Sequence, residues 1–502
     1  MPRFETKTFW VTPLFALLLL ASGCTRDLNS PQYWEKEWGQ AKHSKARIQL
    51  LDNLKETGKL QPSFLPFLHR SLQEEKQGEV KAALARALGE LRDESSIDAL
   101  SQAIDLSDTS SASNAANRAI AAALGKIAVP RTAPALLHLL NAKEPYVRID
   151  AIDALGSLHA LEAEEPLIAL AEDDAEEVYL TKKAIQALGA IGDPRAIPVL
   201  SKTLFKERKG VTFFSESSLA LFKIGKPADD SVLKILNGDD AEFWKWAQSS
   251  GVIEAAIYAK TAQLVADFND SRAIPKLMSL LGYKNEMNDL TLFVRTSAAE
   301  SLGRLRYDKA ATLIISLLKE DDPGARAAFA HSLVLLGIKA VPAPLLKLSS
   351  QSEERNLFLP SIALLGGASE IAAIANQLAV PPGVTASLKA SIECGHDKTC
   401  WVKRLDDPAS LVRVRAAYEL GRSKDPSVAL ELLKRSGDSD PDAREAIIQG
   451  ATWIVQDSAE AARTAKSFST AIEKQLEAEK SKTQMQKLNE DLRRLAWTIS
   501  RA

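Results

Sequence analysis

The sequence predicts an all-α protein, a solenoid in which antiparallel helix pairs stack one on the next. The first observation is an internal repeat: the pattern Ala-Leu-Gly-x-(Leu/Ile) returns around Gly89, Gly125, Gly156 and Gly189, at spacings of 36, 31 and 33 residues. The second is that apolar residues within each repeat follow helical spacing. The third is that β-branched runs, which would indicate strands, are short. A repeat of this length carried along most of a chain is typical of stacked supersecondary units.

Each repeat predicts two helices joined by a turn. In the segment YVRIDAIDALGSL, Ile152, Leu155 and Leu158 fall on one helical face at the i, i+3 spacing. In IGDPRAIPVLSKTL, Asp193 is placed to cap the next helix and its neighbour Pro194 suits the first turn. One such pair cannot bury its own apolar face, so we expect the pairs to stack into an elongated, curved superhelix.

Acidic residues in the turns precede a Val-Arg pair near the start of the next helix. Examples are Glu144 with Val147-Arg148, and Asp407 with Val412-Arg413. Together with the repeat length, this pattern resembles the HEAT repeat, in particular the short variety first associated with phycobilisome lyases, over about residues 60–460. The resemblance implies a HEAT-like, armadillo-type superhelix whose second helices line a concave face. It implies no particular activity, because function depends on sites and not on the fold.

Residues 1–23 have the pattern of a secretory signal peptide. After a basic start, residues 9–20 are apolar but too few to span a bilayer comfortably, and small residues then precede Cys24. This resembles the lipobox of bacterial lipoproteins, with Ala21 where leucine is usual, and implies that Cys24 is diacylated. Thr25 stands where the retention signal has aspartate, so the resemblance implies the outer membrane, facing the periplasm. An ordinary signal with an incidental cysteine, or an uncleaved anchor helix, is the alternative.

The rest of the chain divides into three predicted parts. We expect residues 24–30 to form a short linker, residues 31–457 to form the solenoid, and residues 458–502 to form a charged helical tail. Two apolar stripes in the tail predict two helices, at Ala465, Phe468, Ile472 and Leu476, and at Met485, Leu488, Leu492, Leu495 and Ile499. The tail caps the solenoid or, alternatively, offers a helix to a partner.

The charges of the chain are nearly balanced. It has 63 basic and 65 acidic residues, for a net charge of −2. Such a balance, together with export from the cytoplasm, argues against nucleic-acid binding.

Cys394 and Cys400 are the remaining cysteines, and an oxidising periplasm favours a disulfide between them. On one continuous helix they would lie too far apart for a disulfide. Gly395, however, permits a turn, and Asp397 can cap a new helix that folds Cys400 back toward Cys394. Free thiols are one alternative. A metal or redox role is another, although His396 would complete only three crowded ligands and the spacing is not that of a thioredoxin-like pair.

The sequence carries no recognisable catalytic motif. None of the six histidines is followed by glutamate, as the iron sites of the HEAT-built deoxyhypusine hydroxylases would require. The motifs HExxH, GxSxG and GxxxxGK(S/T) do not occur. We therefore expect no catalytic residue, no metal site and no cofactor.

The segment AEFWKWAQSSGVIEAAIYAK is rich in aromatic residues, in a chain that contains only 6% of them. Trp244 and Trp246 are two positions apart and cannot share a helical face, so one of them is a candidate for an exposed interface anchor, with Tyr258 nearby. Packing at an irregular repeat junction is the alternative. Further candidates on second helices, for which a solvated face is the alternative, are Arg148, Lys182, Lys183 and Gln186.

These features favour a lipid-anchored, non-catalytic scaffold or adaptor of the bacterial cell envelope. It would bind a protein or peptide partner through the solenoid surface and contact the membrane through acyl chains on Cys24. An envelope enzyme with an unrecognised site, of the HEAT-like hydroxylase or lyase type, is one alternative. A structural or glycan-binding spacer is another. The partner and the oligomeric state are left open.

Overall fold

A computed structural model describes residues 29–350, 354–370, 380–468, 470–472, 474, 476 and 486–501. The predicted signal peptide, the lipidation site at Cys24 and most of the linker lie outside these residues, as does Met485 of the second tail stripe. The chain divides between Leu158 and His159 into two compact units. Within the described residues the structure is mainly helical, with two short strands.

The first unit pairs shorter and longer helices in sequence order. Its helices are α1 (Pro31–Gln40), α2 (Ser44–Glu56), α3 (Leu65–Glu74), α4 (Gly78–Leu91), α5 (Ile97–Gln102), α6 (Ser111–Ile127), α7 (Ala133–Leu139) and α8 (Pro145–Leu158). The long helices α4, α6 and α8 pack side by side in a row, and the short helices pack against them. This is the arrangement that the repeat predicts.

The second unit continues the same pattern. Its first elements are α9 (Glu164–Glu172), α10 (Val178–Ile191), α11 (Ile197–Thr203), β1 (Glu207–Arg208), β2 (Val211–Thr212), α12 (Phe214–Ile224), α13 (Lys226–Asn237), α14 (Ala241–Ser249), α15 (Glu254–Asp267), α16 (Ile274–Leu280), α17 (Asn288–Arg304) and α18 (Ala311–Leu317). Those that follow are α19 (Pro323–Leu336), α20 (Ala343–Ser349), α21 (Arg355–Leu365), α22 (Pro382–Cys394), α23 (Lys398–Arg404), α24 (Ser410–Arg422), α25 (Ser427–Leu433), α26 (Pro441–Asp457), α27 (Ala459–Ala465) and α28 (Gln486–Arg501).

The short helices begin as the sequence predicts. The side chain of Asp193 accepts a hydrogen bond from the backbone N–H of Arg195, and Pro194 opens a three-residue 3₁₀ turn that leads directly into α11. Asp270 caps the 3₁₀ turn before α16 in the same way, because its side chain accepts a hydrogen bond from the backbone N–H of Arg272. An aspartate in this position satisfies a backbone donor that the helix itself cannot. The predicted capping by Asp193 is confirmed.

The recurring glycines lie where neighbouring long helices cross. A Cβ added to Gly189 would lie 2.5 Å from the Cα of Ala220 in α12, and one added to Gly421 would lie 2.5 Å from the Cα of Gly450 in α26. No side chain fits at such a distance, so the glycine permits the close approach of the two backbones. The glycine of the Ala-Leu-Gly pattern therefore marks the position where the long helices of successive repeats approach most closely.

Arginines also join one repeat to the next. Arg413 in α24 donates from Nε and Nη2 to Asp438, at 2.8 and 2.9 Å, and Arg295 in α17 lies 2.8 Å from Glu320. These pairs support the stacking at the turns. The prediction of an all-α solenoid of stacked antiparallel helix pairs is confirmed.

Two features of the second unit depart from a regular stack. β1 and β2 form a two-stranded antiparallel hairpin with Glu207 opposite Thr212, which the sequence analysis did not predict. In addition, α28 returns across the unit to pack on α12, α26 and α27. Among the residues described, none of the helices combines the length and apolarity needed to cross a bilayer.

Candidate partner-binding surfaces

The aromatic residues predicted as interface anchors form one cluster. The Trp244 and Tyr258 rings lie 5.7 Å apart, and Tyr258 meets Tyr283 at 5.8 Å. Trp244 and Trp246 do point in different directions, as their spacing requires. Trp244 turns inward, where its Nε1 donates to the carbonyl of Ile235 at 3.0 Å. Both tryptophans are half-buried, so neither stands fully exposed.

Trp246 lines an open groove beside the β1–β2 hairpin, which we call the hairpin groove. Its volume is about 700 Å³. Residues that line it include Phe205, Arg208, Trp246, Val252, Ile253 and Lys260. The Trp246 ring packs on Phe243 at 5.5 Å, and Phe243 in turn packs on Phe205 at 5.5 Å. Ile253, at the rim, is 55% exposed.

The basic side chains around the hairpin groove are already engaged. Lys206 pairs with Asp174 at 2.9 Å, and Arg208 donates to the carbonyls of Asp173 and Glu176. Lys260 donates to the carbonyl of Leu204 at 2.8 Å, and burial lowers its pKa. The cations of the groove are therefore engaged within the protein, and its lining combines aromatic and aliphatic side chains with the acids Asp174 and Glu207.

The candidates on second helices have other contacts. Lys182 on α10 forms an ion pair with Glu216 of α12 at 2.8 Å, so it joins two repeats. Lys183 lies over the ring of Tyr179, and Gln186 is exposed on the same helix. Arg148 lies half-buried on α8 of the first unit. Lys182 therefore has a structural role, whereas Gln186 lies on a solvent-exposed face of its helix.

The two late cysteines are joined in the structure. Cys394 at the end of α22 and Cys400 in α23 form a disulfide with a Cα–Cα distance of 5.3 Å. Gly395 has a φ of +50°, and Asp397 accepts from the N–H of Thr399, as the sequence predicts for a turn followed by a new helix. The ring of Trp401 donates to the carbonyl of Gly395 at 3.0 Å. We call residues 394–400 the disulfide loop.

A second groove, of about 720 Å³, lies beside the disulfide loop, and we call it the basic groove. Its lining residues include Lys339, Leu365, His396, Trp401, Arg415 and Arg422. Sequence reasoning missed this site. The available signal was the segment RAAYELGR, where two arginines seven positions apart fall on one helical face.

A charged centre lies beneath α28. Asp267 at the end of α15 pairs with Arg304 of α17 at 2.6 Å and with Arg494 of α28 at 3.2 Å. Arg494 also donates to the hydroxyl of Ser218 in α12 at 3.0 Å. The remaining cavity measures about 20 Å³, too small for a ligand. In the part of the chain that the structure describes, no three His, Cys, Asp or Glu side chains group as metal ligands.

Stacked pairs of a short and a long helix, with capped turns and ion pairs between repeats, define the class of this protein as an α-solenoid. The family profile of HEAT repeats matches residues 65–156, 106–180, 133–220 and 254–334. No protein of curated function matches the sequence.

Solved structures share the helical architecture at low similarity. Human deoxyhypusine hydroxylase in complex with glycerol is 19% identical over 58% of this chain and 98% of its own, with a TM-score of 0.22. The complex of CpcE and CpcF of phycocyanin lyase from Nostoc sp. PCC7120 is 19% identical over 54% and 94%, with a TM-score of 0.27. Yeast importin-β (Kap95p) is 12% identical over 90% and 69%, with a TM-score of 0.42.

Proposed function

We propose that this chain is a non-catalytic scaffold of the bacterial cell envelope, anchored by acyl chains on Cys24 at the outer membrane. It binds a protein or peptide partner through the hairpin groove of its second unit. The anchor rests on the lipobox-like sequence that ends at Cys24, since two or more acyl chains hold a protein on a membrane stably. The docking site rests on the composition and shape of the groove.

The observation that carries this proposal is a groove of about 700 Å³ that the partly exposed Trp246 ring helps to line. That volume falls within the range of ordinary ligand sites. Among the described residues, the ring nitrogen of Trp246 has no acceptor, whereas that of Trp244 is satisfied internally. A half-buried tryptophan with a free donor beside an exposed isoleucine is typical of an interface anchor. The partner segment that fits presents apolar side chains to Trp246 and Ile253, because the surrounding cations are already paired.

Photo-cross-linking in whole cells tests this site. A photoreactive phenylalanine derivative replaces Ser250 on the groove rim or, as a control, the exposed Ser316 of α18. We expect a discrete protein adduct from position 250 and none from position 316. Adding Ile253→Glu should lower the adduct yield about tenfold, because a charge would be buried against the partner's apolar surface.

The matched control is Leu313→Glu, since Leu313 is an exposed aliphatic residue of similar accessibility, 45% against 55% for Ile253. This variant should leave the adduct from position 250 unchanged. Equal loss in both variants, or no adduct from position 250, would contradict the docking site. The anchor is tested separately, because Cys24→Ala should release the chain from the membrane fraction.

A further inference from the structure

The basic groove is a second surface of the second unit, separate from the hairpin groove. It is bounded by the end of α19, the end of α21, the disulfide loop and one face of α24. Its floor carries Arg415 and Arg422, and Lys339, His396 and Lys398 line it as well. Glu419 is the one acidic residue among the described residues that line it. The groove is therefore strongly cationic in a chain of nearly balanced charge.

Arg415 is the best-defined part of the groove. Its residue is only 6% exposed, and its Nη1 donates to the carbonyls of Ala363 and Gly366, both at 2.7 Å. These two bonds fix the guanidinium in position. Among the described residues, Nη2 has no hydrogen-bond partner and is not enclosed by protein, and the buried Nε has none either. A rigid guanidinium thus presents the unused N–H donors of Nη2 to the groove.

No carboxylate fully neutralises Arg415. Its Nε lies 3.9 Å from Glu419, beyond hydrogen-bond distance. Glu370, the other carboxylate that acts on Arg415, is held by the N–H of Gly367 at 2.6 Å and the hydroxyl of Ser369 at 2.9 Å. Burial lowers the pKa of Arg415 to about 10, so the side chain is still cationic at neutral pH.

Arg422 adds a second guanidinium on the same face of α24. Its Nη2 donates to the carbonyl of Val334, and its guanidinium stacks on the rings of Tyr418 and Trp453 at 5.4 and 5.5 Å. Its Nε is buried without a hydrogen-bond partner among the described residues. One buried cation, Arg415, and one half-buried cation, Arg422, therefore share Glu419 as the acidic residue that lines the groove. Holding excess charge away from water costs free energy, which an incoming carboxylate would offset.

A further cation lies at the rim of the basic groove. Lys339 is exposed and makes no ion pair with any described residue, whereas Lys398 is paired with Asp425. Between the cations the lining is apolar, with Leu364, Leu365 and Trp401. A ligand that matches both the cationic and the apolar parts of the groove carries carboxylates and aliphatic side chains together.

From this arrangement we infer that the basic groove binds an acidic peptide segment. A carboxylate of the peptide accepts from Nη2 of Arg415, a second faces Lys339, and aliphatic side chains contact Leu364 and Leu365. Arginine suits this role because its planar donors match a carboxylate. The carboxylate can come from a side chain or from a chain terminus, and the test separates the two sources.

Fluorescence polarisation with the oxidised full chain tests this inference. The probe is a fluorescein-labelled hexapeptide of alternating leucine and glutamate with an amidated end. We expect it to bind at least about tenfold more tightly than the leucine–glutamine hexapeptide, with an affinity that falls as salt is added. A third peptide, leucine–glutamine with a free terminal carboxylate, binds as tightly as the probe only if the chain terminus is the recognised group.

The variants are Lys339→Glu and Arg415→Gln, with Lys245→Glu as the matched control. Lys245 is exposed on α14 and lines neither groove. We expect Lys339→Glu to weaken binding of the probe about tenfold and Arg415→Gln to weaken it further, while Lys245→Glu has no effect. Lys339→Glu decides the question if Arg415→Gln does not fold. Equal affinity for all three peptides, no binding of any, or equal loss in Lys339→Glu and Lys245→Glu would overturn the inference.

Discussion

Glu164, at the start of α9, shows how packing changes the chemistry of one residue. Its side chain is fully buried, and both carboxylate oxygens lack a hydrogen-bond partner among the described residues. Burial, with a smaller contribution from Asp193, raises its pKa to about 7. The next residue, Glu165, is exposed. The sequence gives two adjacent glutamates, and only the packing of α9 determines which of them loses contact with water.

We predict that Glu164 makes the protein less stable as pH rises. The folded chain holds the proton up to about pH 7, whereas an unfolded glutamate releases it near 4.5. The folded state therefore binds more protons between these values, and stability falls across that window by up to about 3 kcal/mol. Glu164→Gln should remove this dependence, so thermal unfolding at about pH 5 and about pH 8 should show a smaller difference than in the wild type. Glu165→Gln is the control, and an equal change in both variants would contradict this account.

The disulfide loop is the element that the sequence predicted in most detail. Gly395 and Asp397 are local signals, since one permits a positive φ and the other caps the helix that follows. Their roles depend on a few neighbouring residues, which is why the sequence was sufficient. The β1–β2 hairpin was missed for the opposite reason. Strands of two residues are too short to show an alternating pattern.

We predict that Cys394→Ser with Cys400→Ser lowers the free energy of unfolding by about 2 kcal/mol, because the disulfide restricts the unfolded chain over a short loop. Urea unfolding followed by tryptophan fluorescence measures this change. Adding dithiothreitol should destabilise the wild type by a similar amount and leave the double variant unchanged. If the reductant shifts both proteins equally, its effect does not come from this disulfide.

At the scale of the whole molecule, the sequence predicted the repeated helix pairs but not the contacts between distant repeats. Ser218 and Arg494 are 276 positions apart, and Arg306 binds Asp457 across 151 positions. Helical periodicity reports which residues of one helix face inward, and it carries no information on which distant helix they meet. The basic groove was missed for the same reason, because Ala363, Gly366 and Arg415 come together only in the folded unit.

The tail helix α28 is held by both apolar and charged contacts. Leu492, Leu495 and Ile499 are buried, in agreement with the stripe that the sequence predicted. Beside them, Arg494 is only 4% exposed and reaches Asp267 of α15, Ser218 of α12 and Asp491 of its own helix. A buried arginine shared by three helices makes the position of α28 specific, which an apolar stripe alone would not.

We predict that Arg494→Ala lowers the free energy of unfolding by about 3 kcal/mol, because it leaves the buried Asp267 and Ser218 with fewer partners. Arg493→Ala is the matched control, since Arg493 is the neighbouring arginine and is exposed, and it should change stability by less than about 0.5 kcal/mol. Urea unfolding gives the magnitude, and hydrogen exchange of residues 486–501 shows whether α28 is released before the rest of the unit. If α28 remains as protected in Arg494→Ala as in Arg493→Ala, the apolar stripe alone holds the tail, and the charged centre beneath it is not what positions the helix.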